Sequence, residues 1–579
     1  GATDRHIERN AAVQLCYIEV EQPDMHKPLG DLDRLKVVLE KDWGWRDLLV
    51  APYLIPQVQK ILRTALPDQP EVSEGKWGVT AVVHRDMDSS RPFVIGLYPG
   101  LKNEAYGIAC DIGSTTIAMH LVSLLSGRIV ASSGTSNPQI RFGEDLMSRV
   151  SYVMMNPDGR EAMTRAVREA VNGLIGKVCA EGGVDRKDIF DCVFVGNPIM
   201  HHLFLGIDPT ELGQAPFALA ISGALQYWAH EVGIEVSQGA RLYMLPCIAG
   251  HVGADAAAAT LSEGPYRQDR MMLLVDVGTN AEIVLGNRAR VVAASSPTGP
   301  AFEGAEISSG QRAAPGAIER VRIDPLTLEP KYRVIGVDMW SDEEGFEQAA
   351  AATGVTGICG SAIIEVVAEM YLSGVISEDG VVDGSLAART SRIVPNGRTF
   401  SYLLRDGEPR ITVTQNDIRA IQLAKAALYA GVKLLMEKQG VETVDTIRFA
   451  GAFGSFIDPK YAMVLGLIPD CELDEVKAVG NAAGTGALMA LLNRNHRREI
   501  EETVKRIEKI ETALEPNFQQ LFVDAMAMPN KVDPFPKLSA AVKLPPRKAA
   551  SEDGTGEGGG RRRGREGRRA RSPDPSMEA

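Results

Sequence analysis

The alternation of hydrophobic and polar positions describes the same three-strand unit in two parts of the chain. An apolar run from residue 271 ends in Asp276-Val277-Gly278-Thr279-Asn280, and a second apolar run begins directly afterwards. This pattern is typical of a β-hairpin with a tight glycine turn. Residues 108–120 repeat it with Asp111, Gly113, Ser114, Thr115 and Thr116, and each copy continues through a Gly-led turn into a third apolar stretch. The two aspartates are 165 residues apart, which is too long for a solenoid repeat and predicts a duplicated domain.

The remaining periodicity predicts an alternating α/β chain. Strands are predicted at 13–20, 77–84, 92–97, 190–196, 242–249 and 446–450. Helices are predicted at 32–41, 50–66, 158–179, 361–372, 415–439, 481–492 and 499–514, with another directly after Gly253 and an irregular insert up to about residue 410.

These elements divide the chain into five regions. Residues 1–100 are predicted to hold a linker and a small α+β middle domain, 101–268 a first lobe and 269–495 a second lobe. A helical extension follows at 496–540. Residues 541–579 are rich in Arg and Gly with few apolar positions, a composition typical of disorder.

Composition limits the possible partners and locations. The net charge of −13 argues against nucleic acid as the main partner. No apolar run reaches the roughly 20 residues that cross a bilayer, and we expect a cytoplasmic protein. The seven cysteines are scattered without a CxxC pair, which favours buried thiols over disulfides or a metal centre.

Two such hairpins facing each other would suit a nucleotide. Glycine lets the backbone approach phosphate without a Cβ clash, and neighbouring N–H groups and hydroxyls supply donors. Carboxylates repel phosphate, so Asp111 and Asp276 are predicted to act through Mg²⁺. A third element is expected after the late strand of the second lobe, at Gly451-Ala452-Phe453-Gly454, where glycines would admit the adenine; the alternative is a plain strand-to-helix turn.

Longer motifs resemble a known family. The paired DIGST and DVGTN hairpins with AGAFG look like the superfamily of actin, sugar kinases and heat-shock chaperones (ASKHA). Five stretches are similar to the RACo family of ATP-dependent reductive activators of corrinoid proteins: NPQIRFGEDLMSR (137–149), VFVGNPIMHHLFLGIDP (193–209), VDVGTNAEIVLGN (275–287), GPAFEGAEISSGQRAAPGAIE (299–319) and IRFAGAFGSFIDP (447–459). The resemblance implies an α/β, duplicated actin/sugar-kinase-like, ribonuclease H-like ATPase domain of two lobes behind the small domain.

The resemblance also implies an activity. Family members use ATP to drive one electron from an N-terminal [2Fe–2S] ferredoxin domain to the Co(II) of a corrinoid protein, giving the Co(I) that methyltransferases need. Implied partners are a corrinoid protein, an external electron donor and a second copy of the chain in a homodimer. The clustered cysteine ligands of a plant-type ferredoxin are absent, so this sequence offers no Fe–S ligands. The hypothesis is that it is a fragment whose missing N-terminal domain holds the cluster.

Within that reading, roles are assigned to particular side chains. Gly113 to Thr116 and Gly278 to Asn280 are expected to hold phosphates. Glu282 or Asp255 is expected to position the attacking water, the alternatives being hairpin or N-cap support. Ser295, Ser296, Ser308 and Ser309 mark a loop that would meet the corrinoid partner or close over the nucleotide. Arg141, Glu144, Asp145 and Arg149 are expected to pair with one another at helical spacing.

Three other functions remain open at this point. A metabolite kinase of the same superfamily would need a general base and a substrate cluster, and no clear one is visible. A chaperone-like module would use ATP only to switch its affinity for a partner. An activator of 2-hydroxyacyl-CoA dehydratases would need cysteines for a bridging [4Fe–4S] cluster, and none is convincingly placed.

Overall fold

A four-stranded sheet opens the fold. The computed structural model describes residues 6–69 and 77–547. The first sheet has the order β1-β3-β4-β2 and holds β1 (Val13–Val20), β2 (Leu49–Val50), β3 (Trp77–His84) and β4 (Phe93–Pro99). Helices α1 (Asp31–Trp43) and α2 (Val58–Leu62) share an apolar core with it. The strands predicted at 13–20 and 77–84 are confirmed. Only residues 58–62 of the helix predicted at 50–66 are α-helical, since residues 52–57, with prolines at 52 and 56, form a 3-10 helix.

The first lobe is built on a six-stranded sheet of order β7-β6-β5-β8-β10-β9. Its strands are β5 (Tyr106–Ile112), β6 (Thr116–Ser123), β7 (Ile129–Ser136), β8 (Ile189–Gly196), β9 (Leu225–Trp228) and β10 (Arg241–Met244). Strands β5 to β7 form an antiparallel meander, and β8 and β10 add in parallel. The helices are α3 (Leu146–Met155), α4 (Gly159–Gly182), α5 (Pro198–Leu205) and α6 (Ala254–Glu263). The strand predicted at 242–249 ends early because Pro246 has no N–H for the ladder.

The second lobe repeats this plan. The lobe begins with three antiparallel strands, β11 (Met272–Val277), β12 (Ala281–Gly286) and β13 (Val291–Ser296). A long connection then leads from β13 to the next strand of the same sheet. That connection holds two smaller sheets, formed by β14 (Gly310–Gln311), β15 (Ala317–Ile323), β16 (Pro330–Val334), β17 (Val337–Trp340) and β18 (Gly357–Cys359), and by β19 (Ile393–Asn396), β20 (Thr399–Arg405) and β21 (Ile411–Val413). The parallel strands β22 (Thr446–Ala450) and β23 (Val476–Gly480) then complete the lobe's sheet, together with β24 (Glu508–Lys509) beside β13. The same meander-plus-parallel order in both lobes confirms the duplication.

The helices of the second half are α7 (Phe346–Ala349), α8 (Gly360–Leu372), α9 (Gln415–Gln439), α10 (Gly451–Phe456), α11 (Pro459–Leu465), α12 (Ala482–Leu492), α13 (Arg494–Arg506), α14 (Phe518–Asp524) and α15 (Pro536–Ala541). Helix α9 has the predicted bounds, since Thr414 caps its start with Asp417 and Gly440 ends it with a φ of 71°. Among the described helices, none is long and apolar enough to span a membrane.

Two predictions in this half are wrong. The insert before residue 410 is not irregular, because β19 and β20 pair there as a hairpin. The helix predicted at 499–514 begins and ends earlier, as α13, and the chain then extends so that β24 pairs with β13. Most of the predicted tail at 541–579 lies outside the described residues.

Helix α12 joins the two lobes. It follows the last large strand of the second lobe, but its residues share a core with the first-lobe sheet and with α6. The two helices touch at Gly486, where a Cβ would lie only 2.0 Å from the carbonyl oxygen of Ala258. The backbones of the two helices are therefore packed directly against each other where the second lobe meets the first.

Candidate functional site

Both hairpin aspartates lie at the carboxyl ends of the first strands of their lobes. Asp111 is the residue before the last one of β5 and lies beside Val195 of β8, and Asp276 is the residue before the last one of β11 and lies beside Ala450 of β22. On the next strand, Glu282 pairs directly across from Asp276, so the two carboxylates share one face of the sheet. In the first lobe the residue opposite Asp111 is an alanine. The second lobe therefore contributes one carboxylate more than its counterpart.

Asp255 brings a fourth carboxylate to the same place. It lies in the first turn of α6, where its Oδ1 accepts a hydrogen bond of 2.9 Å from the N–H of Ala256. Its charge acts on those of Asp111, Asp276 and Glu282. The structure thus brings together all four residues that the sequence proposed as catalytic.

The environment of this cluster favours protonated carboxyls. Burial and then repulsion by Asp255 and Asp276 raise the pKa of Asp111 to about 8, although a hydrogen bond with Asn481 opposes the rise. Burial and repulsion by Asp255 raise the pKa of Asp276 to about 7 and that of Glu282 well above its usual value. Burial also raises the pKa of Asp255 to about 6. All four residues are intermediate in burial and keep partial contact with solvent.

Such a cluster is a suitable site for a cation. Like charges directly opposite each other destabilise a sheet, so the Asp276–Glu282 pair costs stability when both carboxyls are ionised unless a positive charge compensates them. Within residues 6–69 and 77–547, no three histidine, cysteine or carboxylate side chains are grouped to hold a metal ion by themselves. Mg²⁺ usually takes only one or two carboxylates and fills its other positions with water and substrate phosphate. The donor set therefore fits Mg²⁺ that arrives with a phosphate ligand.

Hydrogen-bond donors on one side of the first hairpin fix the orientation of three of its carbonyl groups. The carbonyl of Gly113 accepts from Asn137 Nδ2 at 2.9 Å, that of Ser114 from Arg149 Nη2 at 2.6 Å, and that of Thr115 from the Asn137 N–H at 2.7 Å. In a planar trans peptide the N–H points away from the preceding carbonyl. The N–H groups of Ser114 and Thr115 therefore face the opposite side, as donors for an anion.

The second hairpin has the same arrangement with different donors. Thr298 Oγ1 donates to the carbonyl of Gly278 at 2.9 Å and to that of Thr279 at 3.2 Å. The N–H of Gly299 also donates to Thr279, at 2.8 Å. The N–H groups of Thr279 and Asn280 are turned away from these donors. Sequence reasoning missed Thr298, although it stands directly before the family-like GPAFEG stretch.

The turn after β22 lies beside the second aspartate. Gly451 has a φ of 85°, and a Cβ there would lie 2.7 Å from Asp276 Oδ1, so only glycine allows this approach. Ala452 is exposed, whereas the Phe453 ring packs against Phe302 at 5.4 Å between centroids. Gly454 is buried against Phe449. The structure accounts for Gly454 by packing, so the interpretation as an adenine-approach residue is not needed there.

The serine-containing loop is mostly committed to internal contacts. Ser296 is fully buried and donates to the carbonyl of Ala427 at 2.6 Å, so the prediction that it faces a partner is wrong. Ser308 donates through its hydroxyl and its N–H to Asp417 at the start of α9. Ser295 and Ser309 are only partly exposed. The loop is anchored by its own serines and supports the second hairpin through Thr298.

Asn481 was not predicted from the sequence. It caps α12 by accepting from the N–H of Gly484 at 2.9 Å, and its side chain lies near enough to Asp111 to lower the pKa of that carboxyl. A residue of the second lobe thus lies near the first-lobe aspartate. The N-cap pattern before a small-residue helix could have marked Asn481 as a cap, but its contact with Asp111 depends on the packing of the lobes.

The cysteines do not form a cluster site. All seven are buried and free, and no metal-binding group was found within the described residues. The described cysteines therefore do not fit a [2Fe–2S] centre.

Family models match three consecutive parts of the chain. Models described as the RACo linker region, the RACo middle region and the C-terminal domain of RACo, the ASKHA domain, match residues 2–104, 106–268 and 270–539. The last description agrees with the duplicated sheets, and the predicted fold class is confirmed.

Characterised relatives point in the same direction. The chain is 33% identical over 444 residues to the corrinoid activation enzyme RamQ of Eubacterium limosum, covering 74% of this chain and 72% of that protein. It is 25% identical over 431 residues to a [Co(II) methylated amine-specific corrinoid protein] reductase of Methanosarcina barkeri, covering 69% and 73%. A solved structure of a reductive activator for corrinoid, iron-sulfur protein matches with a TM-score of 0.75 and 31% identity, covering 91% of this chain and 80% of that one.

Proposed function

Because this chain belongs to the RACo family of reductive activators of corrinoid proteins, we propose that its two hairpins bind Mg²⁺-ATP and that this nucleotide drives one electron onto Co(II) of a corrinoid protein. The observation that supports this most directly is that carboxylates of the two lobes lie near enough for Asp276 and Asp255 to raise the pKa of Asp111. The two hairpins also turn their tip N–H groups away from the donors behind them. A polyphosphate with its cation matches both halves of that site.

Each side chain receives a role. Asp111 and Asp276 would hold Mg²⁺, which when bound neutralises phosphate charge. The N–H groups of Ser114, Thr115, Thr279 and Asn280 would hold phosphate oxygens. Glu282 and Asp255 remain the two candidates for positioning the attacking water. Glu282 is favoured because it stands directly across the strand pair from Asp276, whereas the Asp255 carboxylate already accepts a helix N–H.

The two-lobed arrangement suits energy coupling. Each lobe supplies half of the donors, so the nucleotide binds fully only when both halves approach it. A ligand that prefers one arrangement shifts the population toward it, and a corrinoid partner that binds the same arrangement is then coupled to ATP by linkage. In this way ATP can change the free energy of the Co(II)/Co(I) step without touching cobalt.

The electron must come from outside the described residues. A [2Fe–2S] domain belonging to a longer form of the protein, or a separate reduced ferredoxin, would supply it. Formation of a homodimer and a cytoplasmic location remain predictions.

The test is ATP-dependent formation of Co(I). The protein would be mixed with a Co(II) corrinoid protein and a reduced [2Fe–2S] ferredoxin, and the visible spectrum followed with and without ATP. We expect Co(I) only with ATP, and a rate at least about 100-fold lower for Asp276→Ala, because electrostatic groups at a phosphoryl site contribute about 3 kcal/mol or more. Asp269→Ala is the control, since that carboxylate is exposed seven residues earlier.

Other results would overturn the proposal. Reduction at the same rate without ATP would refute coupling, and normal activity of Asp276→Ala would refute the site. Transfer of phosphate to a small metabolite without Co(I) formation would indicate a kinase. ATP-dependent partner binding without hydrolysis or Co(I) would indicate a chaperone-like switch.

A further inference from the structure

Arg149 is a buried cation without a buried anion to match it. It lies in α3 and is 0% exposed. Its neighbours are the carbonyls of Gly143 at 3.0 Å and Ser114 at 2.6 Å and the sulfur of Met200 at 3.4 Å. In the described residues, no carboxylate lies within ion-pair distance of it; Asp145 acts on it only from further away. The pairing with Glu144 or Asp145 expected from helical spacing is therefore wrong.

Such an arrangement is costly in the absence of a ligand. A guanidinium removed from water loses several kcal/mol of solvation, and neutral carbonyls restore only part of it. A thioether sulfur is a weak acceptor. Burial accordingly lowers the pKa of Arg149 to about 10. The positive charge of Arg149 would be better compensated if an anion approached the opposite side of the Ser114–Thr115 peptide, whose carbonyl the guanidinium holds.

The contact with Ser114 places that anion. The guanidinium holds the Ser114 carbonyl, and the N–H of Thr115 in the same peptide plane points the opposite way. An anion on that N–H would share one polarised peptide with Arg149. The second hairpin does the equivalent task with the neutral hydroxyl of Thr298, so orientation alone does not require a charge. The first hairpin has a cation where the second has the neutral hydroxyl of Thr298.

We infer that Arg149 is a positioning residue for the polyphosphate: it sets the Ser114–Thr115 peptide and supplies the buried positive charge that an incoming phosphate chain balances. This rests on the proposed nucleotide site. Arg149, the last residue of the NPQIRFGEDLMSR segment, would then compensate the phosphate charge through the Ser114–Thr115 peptide, without contacting the ligand.

Four variants separate charge from hydrogen bonding. Arg149→Met removes both, Arg149→Gln keeps a neutral donor, and Arg149→Lys keeps the charge but not the planar fork. Arg165→Met is the control, because that guanidinium is exposed on the next helix and pairs with Glu161 on its own helix. Binding of ATP, ADP, AMP and adenosine would be measured by calorimetry, and melting of the ligand-free proteins would report their folding.

The inference predicts a loss that depends on phosphate number. Arg149→Met and Arg149→Gln should weaken ATP binding by about 10- to 100-fold, the range for hydrogen bonds that involve a charged group. The loss should be smaller for ADP and AMP and absent for adenosine. Arg149→Lys should fall between these variants and the wild type, and Arg165→Met should match the wild type.

Each other outcome decides the question. Wild-type ATP affinity in Arg149→Gln would refute the role of charge, and equal losses for ATP and adenosine would indicate a purely structural residue. If Arg149→Met does not fold, the Gln and Lys variants give the same comparison. Failure of the wild type to bind ATP would instead reject the nucleotide site itself, so the two failures are distinguishable.

Discussion

Arg497 joins three parts of the chain through buried ion pairs, and its replacement would show how strongly they depend on one another. Its Nη1 lies 2.9 Å from Asp86 Oδ1, and its Nη2 lies 2.6 Å from Asp191 Oδ2. Asp86 follows β3 of the N-terminal sheet, Asp191 lies within β8 of the first lobe, and Arg497 lies in α13. Arg497 is 1% exposed and Asp191 0%, so water screens these charges very little.

The substitution Arg497→Met keeps much of the side-chain volume and removes the cation. Both carboxylates then remain buried without it, and the carbonyl of Ala490 loses a donor at 2.8 Å. Removal of one partner from a buried ion pair costs about 3–5 kcal/mol. We therefore expect the free energy of unfolding to fall by about 4 kcal/mol, a large part of the roughly 5–15 kcal/mol of a typical domain.

The loss should depend on pH in a definite direction. Burial raises the pKa of Asp191, and the attraction of Arg497 opposes that rise. Without Arg497 the pKa of Asp191 rises further above its unfolded value. A carboxyl with a raised folded-state pKa stabilises the fold below the unfolded pKa and loses that contribution as pH rises through the folded one. The gap between variant and wild type should therefore be smaller at about pH 5 than at about pH 8.

Urea unfolding at the two pH values measures this. Arg498→Met is the control, because its guanidinium is the next in sequence and is exposed. If Arg497→Met unfolds at the same urea concentration as the control, the ion pairs contribute no net stability and the reasoning is wrong. If the difference in unfolding free energy between Arg497→Met and the wild type does not change with pH, the unpaired Asp191 carboxylate is not its cause.

Three further predictions concern the carboxylate cluster, the turn beside Asp276 and the helix contact at Gly486. The ligand-free protein should lose stability as pH rises through the pKa values of about 6, 7 and 8 of the clustered aspartates, because raised pKa values stabilise the fold only while the carboxyls are protonated. Asp255→Asn should make this loss smaller. Equal slopes of melting temperature against pH in variant and wild type would contradict this. Gly451→Ala should weaken ATP binding at least about 10-fold, since its Cβ would lie 2.7 Å from the Asp276 carboxylate. The control Gly440→Ala has a similar φ of 71° and nothing within 4 Å, so it should cost only about 1–2 kcal/mol of stability. Similar ATP affinities of the two variants would refute the steric argument. Gly486→Ala should destabilise the fold by about 3 kcal/mol because it forces the two helices apart, while Gly173→Ala, which has open space in a helix, should be neutral or stabilising; thermal unfolding of the pair decides this.

Local signals determined much of the fold from sequence alone. The strands at 13–20, 77–84 and 446–450 and the helix Gln415–Gln439 have the predicted bounds, because period-two runs, a capping box and a C-terminal glycine are properties of neighbouring residues. The repeated Asp-x-Gly hairpin also predicted the duplication and the residues around the cleft. Both inferences needed only short-range chemistry and one comparison of the chain with itself.

Contacts between distant segments were decided by the tertiary structure. Helical spacing suggested acidic partners for Arg149, but packing gave it the carbonyl of Ser114. The pattern after Arg506 predicted that the helix continues. In the structure, residues 508–509 instead form a strand that pairs with the edge of β13. Asn481 reaches Asp111 only because α12 crosses to the first lobe. Sequence thus determined which hairpins and caps form, since those depend on residues a few positions apart. The partners of each charge depend on which surfaces meet when the lobes pack, and that is a property of the whole fold.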